Sequence, residues 1–72
     1  MPNIRAVVWL SAKGEDVWWR LSADEFLMNS RRDFPSVLQA GRHVKALAEQ
    51  CGITIAQLWG PGGKLLETSD EG

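Results

Sequence analysis

The segment Gly60-Pro61-Gly62-Gly63-Lys64 sets three glycines and a lysine within five positions, the materials of a phosphate-binding loop. Such a loop cradles phosphates on backbone N–H groups and needs the spacing G-x-x-x-x-G-K-[ST] between a strand and a helix. Here Leu65 follows the lysine, Leu58 stands where the upstream glycine belongs, and eight residues remain after Lys64, too few for the helix. Pro61-Gly62 instead suits the two central positions of a type II turn, because proline presets φ and glycine accepts a positive one. The segment reads as a hairpin bend.

The other reactive side chains are isolated. His43 is the single histidine and sits at the flank of a helical stripe, where a solvated or partly packed ring is expected. Cys51 closes that stripe at the end of the macrodipole that disfavours a thiolate, so it is expected to be a buried, inert thiol. One histidine and one cysteine cannot supply the four ligands of a zinc site. Asp24-Glu25 and Asp70-Glu71 are adjacent carboxylates in a turn and a tail, more suited to solvation than to acid–base work. No catalytic group, metal site or cofactor is expected, and the chain reads as non-enzymatic.

With 72 residues, 44% hydrophobic and 24% charged, the chain reads as one folded domain near the lower size limit for its own core. No apolar run approaches the length of a membrane span, no secretory signal is evident, and a lone cysteine argues against an oxidising compartment. A cytoplasmic protein is expected. Net charge is −1, against the basic excess of a dedicated nucleic-acid binder. The bases are nevertheless clustered: Arg31, Arg32, Arg42 and Lys45 share one stretch with a single acid, Asp33.

These residues must be carried by few elements. Arg5–Ser11 and Val17–Ser22 are rich in β-formers and flank a polar bend at 12–16, which predicts a hairpin. Phe26–Ser30 suits a third, short edge strand. Ser36-Val37-Leu38-Gln39 has the S-x-x-Q form of a capping box. Val37, Ala40, Gly41, Val44, Leu47, Ala48 and Cys51 then make one apolar stripe at helical period, ended by Gly52. Small Ala40 and Gly41 would let this helix approach a sheet closely. Ile53–Trp59 and Lys64–Ser69 complete a closing hairpin. The expected fold is two-layer α+β, with one helix on one face of a mainly antiparallel sheet of four or five strands, in the order β-β-(β)-α-β-β. Residues 1–72 form the one domain, with 68–72 expected to be a disordered acidic tail.

Four tryptophans without a tyrosine is the compositional oddity. Trp18 and Trp19 are neighbours, and successive side chains of a strand face opposite ways. Val17, Trp19 and Leu21 share the inward face, with Ala6, Val8 and Leu10 opposite them. Val7, Trp9, Trp18 and Arg20 then lie on the open side, while the pattern leaves the direction of Trp59 undecided. On the bland reading, Trp9 and Trp18 form a cross-strand pair, partly covered by the 23–34 segment. On the sharper reading, Val7, Trp9, Trp18 and Arg20 are a protein interface, since tryptophan and arginine are enriched at interface hot spots. The expected partner is a second copy, forming a homodimer through this face or an edge strand, or else a larger host protein. The alternative is a weak single-stranded nucleic-acid binder, stacking bases on the sheet aromatics and meeting phosphates with Arg20, Arg31, Arg32, Arg42 and Lys45.

The stretch "WRLSADEFLMNSRRDFPS" followed by "VKALA" resembles the YegP-like family of small, mostly bacterial domains of unknown function. Trp19, Arg20, Leu21, Ser30, Phe34 and Ser36 carry that likeness. "GITIAQLWGPGGKLLE" is similar in layout to a second uncharacterised group with one copy per chain, which closes on an Asp-Gly-Lys/Arg-Ile hairpin; Gly62-Gly63-Lys64-Leu65 holds that place here. Both resemblances imply the strand–strand–helix–strand arrangement, and the first implies a tendency to pair domains. Neither implies a function.

Overall fold

Ile4–Lys13 (β1) and Asp16–Ala23 (β2) alternate between inward and outward side chains and pair as an antiparallel hairpin. Ala6, Val8 and Leu10 on β1 and Val17, Trp19 and Leu21 on β2 are buried, as the alternation requires. Pairing runs on to Lys13 opposite Asp16, so the bend shrinks from the expected 12–16 to Gly14-Glu15. Gly14, at φ 63, lets the chain reverse that tightly. The computed structural model describes residues 4–69.

Leu27–Asn29 (β3) is the short edge strand beside β2. Beyond it, Ser30 N–H donates to the Trp19 carbonyl at 2.9 Å, and Phe34 and Val17 exchange main-chain hydrogen bonds at 2.7 and 3.0 Å. Residues 31–33 project between these two anchor points, with Arg31 in the left-handed region at φ 61. Helix α1 spans Val37–Cys51. It is capped at its start by Ser36 Oγ, which accepts from Gln39 N–H, and at its end by left-handed Gly52. Ala40, Gly41, Val44 and Ala48 are buried against β1, β2 and β4.

Ile53–Gly60 (β4) and Lys64–Thr68 (β5) close the chain. Gly63 N–H donates to the Gly60 carbonyl at 3.2 Å and Gly62 sits at φ 81, as a type II turn at Pro61-Gly62 requires. The sheet order is β3-β2-β1-β4-β5; β1 and β4 are parallel and the other pairs antiparallel. All of this is the expected α+β architecture with five strands. Thr68 belongs to β5, and Ser69 N–H donates to the Ala56 carbonyl at 2.8 Å, so the chain stays paired past the expected start of the tail at 68. Residues 70–72 lie outside the described part.

The helical stripe is buried only at its centre. Cys51 is exposed, and Val37 is 36% exposed, which corrects the expectation of a buried thiol. Cys51 is the last residue of α1, and the buried positions of the helix stop at Ala48, about one turn before it.

Candidate functional site

Because α1 lies on one side only, the outward residues of all five strands form an uncovered face. Register places Leu65, Trp59, Trp9, Arg20 and Asn29 in one lateral row, one residue from each strand in sheet order. Directly paired residues point to the same side of a sheet. Trp9, on the central strand, is 41% exposed, and Leu65 at one end of the row is 42% exposed. Trp59 is half-buried, and its indole Nε1 donates to Gln57 Oε1 at 3.1 Å, which leans the ring back along its own strand. Trp18 is half-buried on the same face.

Trp9 pairs with Arg20 and Ser11 pairs with Trp18. The two indoles are therefore diagonal neighbours across the β1–β2 pairing. Small Ser11 between them leaves a recess of about 520 Å³ lined by Trp9, Ser11, Trp18 and Arg20. Three of the four expected interface residues, Trp9, Trp18 and Arg20, thus line one depression, and Val7 lies one step along β1 beside Gln57. The 23–34 segment does not close over the recess. Its strand pairs at the β2 edge, and residues 29–33 border Trp18 and Arg20 in a separate cleft of about 300 Å³.

The five expected phosphate contacts are divided. Arg20, Arg31 and Arg32 border that cleft, with Asp33 beside them. Arg42 and Lys45 ride on α1, across the sheet from the tryptophans, and Lys45 is paired to Glu67. The guanidinium of Arg32 lies 4.5 Å from the centroid of the Phe34 ring, so it is committed to a cation–π contact. Proximity in sequence brought these bases together; the turn into α1 separates them.

His43 is held from the inner side. Its Nδ1 accepts from Trp19 Nε1 at 3.1 Å, and its ring centroid is 4.8 Å from that of Phe34. It is a partly packed acceptor for a core indole. Among the described residues, no three His, Cys, Asp or Glu side chains converge as a metal site, and no helix is long and apolar enough to cross a membrane.

No protein-family model matches the chain, and no curated protein or solved structure is detectably similar to it. Function is therefore argued from the face itself. Trp59 and Leu65 are the members that sequence reasoning missed. The signal lay in Gln57, a polar residue where strict alternation from Ile53 would place an inward one. Ala6 pairs with Ile55 but Val7 with Gln57, so Ala56 is an inserted residue that turns Leu58 inward and Trp59 outward.

Proposed function

We propose that this protein is a non-enzymatic interaction module that works through protein contacts made by the open sheet face, self-association being the expected form. The observation that carries the reading is the row Leu65–Trp59–Trp9–Arg20, which sets two indoles, a leucine and a guanidinium side by side on strands that no other element covers. Indole and guanidinium are the side chains that most often dominate binding energy, and an apolar surface of this extent is uncommon on a domain that acts alone.

The face is favoured over the edges, because both edges are blunted. β3 has three residues and gives way to the projecting 31–33 loop. On β5, Leu58 pairs with Glu67 and Trp59 with Leu65, so Leu66 is a bulge that interrupts any further strand addition.

The test is molecular mass against concentration for the wild type and for Trp9→Glu, with circular dichroism as the control for folding. The expected result is a dimerising wild type and a folded, monomeric variant. A wild type that stays monomeric removes self-association, and a variant that dimerises like the wild type removes the face. Should Trp9→Glu unfold, Trp18→Glu on the same recess serves in its place.

A further inference from the structure

Building on the face reading, we infer that the occupant of the open face is a second copy of this chain, related by a two-fold axis that runs along β1. Two sheets placed face to face can be exchanged only by an axis lying in the plane between them, and an isologous pair must be self-complementary about it. Two orientations are simple.

With the axis along β1, the central strand lies over itself and β2 lies over the partner's β4. The row Leu65–Trp59–Trp9–Arg20–Asn29 then meets its own reversal, which sets Arg20 over the partner's Trp59 and Trp9 over the partner's Trp9. With the axis across the strands, along the row, each residue of the row meets itself, and Arg20 faces the partner's Arg20. The first arrangement forms two cation–π contacts at the dimer interface, and the second opposes two guanidinium groups there. At position 20 charge favours the axis along β1, while that axis also sets Arg5 and Lys13 over their own copies.

The recess of about 520 Å³ between Trp9 and Trp18 lies on the β2 side of β1, and the Trp59 indole lies on the β4 side. Rotation about β1 brings each Trp59 over the other copy's Arg20, at the rim of that recess. The strand order, with β1 in the middle, centres the contact.

The area suffices as well. Five strands about 4.8 Å apart, over roughly seven residues of about 3.3 Å, give a flat patch of about 550 Å² per copy. Two copies cover about 1,100 Å² before side-chain relief is added, which clears the roughly 1,000 Å² expected of a biological interface.

Cross-linking reads the axis directly. In a Cys51→Ser background, Ser11→Cys and Val7→Cys variants are treated with a short bis-maleimide, singly and mixed. An axis along β1 places residue 11 over residue 11 and residue 7 over residue 7, with about 13 Å between unlike positions. Each variant should cross-link to itself, and the mixture should give no 7–11 product. A 7–11 product in the mixture, without self-cross-links, would establish the other axis and overturn the register while leaving the face.

A second measurement needs no cysteine. Arg20→Ala should weaken dimerisation about tenfold, and Arg20→Glu mixed with wild type should show no excess of heterodimer. An enriched heterodimer would mean that the residues at position 20 face each other. A dimer by mass that cross-links at neither position removes the register alone, whereas a monomer at every concentration removes register and dimer together.

Discussion

The indole Nε1 of Trp19 donates to His43 Nδ1 at 3.1 Å, joining the largest fully buried side chain of the sheet to the helix that covers it. An imidazole that accepts at Nδ1 carries its proton on Nε2, so the bond selects one tautomer. Phe34, buried and paired to Val17, completes the ring contact from the segment before α1. His43→Ala leaves the indole N–H without its acceptor and opens space beside Phe34. A stability loss of about 2–3 kcal/mol is expected. Urea unfolding followed by Trp fluorescence checks it, and an unchanged midpoint would show the bond to be dispensable.

Trp18 and Trp19 make a paired experiment, because adjacent positions of β2 lie on opposite faces. Trp19 is 1% exposed, and Trp19→Ala should cost about 3–5 kcal/mol, a large part of the stability of a domain this small. Trp18→Ala removes only outward contacts and should cost under about 1 kcal/mol in the monomer. Melting both variants at a concentration below dimerisation isolates the fold. Equal losses would contradict the assignment of the two rings to opposite faces.

That assignment was legible in the sequence, since an unbroken strand alternates and a core of Val17, Trp19 and Leu21 leaves no other choice. The capping serine, the left-handed Gly52 and the Pro61-Gly62 turn were legible for the same reason: each is a local geometry that few residue types satisfy. What escaped was non-local. The direction of Trp59 depends on the Ala56 bulge, a register shift in the pairing of β4 with β1 that alternation within β4 does not show. Cys51 matches the helical period yet is exposed, because burial along α1 stops at Ala48, and periodicity does not report how far along a helix burial extends. The split of the basic residues likewise follows from the loop at 31–33 and the turn into α1.

Gly41 gives a prediction of opposite sign. The sequence suggests that its small size admits a close helix–sheet approach, and it is buried. Yet a Cβ placed there would meet no atom within 4 Å beyond its chain neighbours and the adjoining helix backbone, and the residue borders a gap of about 110 Å³ with Leu10, Leu58 and Leu66. A glycine inside a helix costs about 0.5–1 kcal/mol relative to alanine. Gly41→Ala should therefore raise the melting temperature by a few degrees, about 4–8 °C per kcal/mol at this size. A lowered melting temperature would show that the helix needs the closer approach after all.

The Lys45–Glu67 pair ties α1 to edge strand β5, with the two side chains 47% and 55% exposed. Exposed pairs contribute little, because solvent screens the attraction and ordering two long side chains offsets it. A double-mutant cycle of Lys45→Ala and Glu67→Ala should give a coupling below about 1 kcal/mol that shrinks with added salt. A larger, salt-insensitive coupling would mean that the pair holds β5 in place.

Ionic strength also separates the two readings of the open face. Binding of a single-stranded oligonucleotide releases counterions, so its affinity falls steeply with salt, with a slope set by the number of phosphates neutralised. Of the five expected phosphate contacts, only Arg20, Arg31 and Arg32 border the cleft beside Trp18, and Arg32 already covers Phe34, so that set would neutralise few phosphates. Sheet-face dimerisation rests on buried apolar area and on Arg20 over an indole, contacts shielded from solvent ions. Between about 50 mM and 200 mM salt the dimer dissociation constant should change less than about threefold, and an oligo-dT probe should not compete with dimerisation at the higher salt. Oligo-dT that dissolves the dimer at about 200 mM salt would reverse the order of the two readings, because the same tryptophans cannot serve both partners at once.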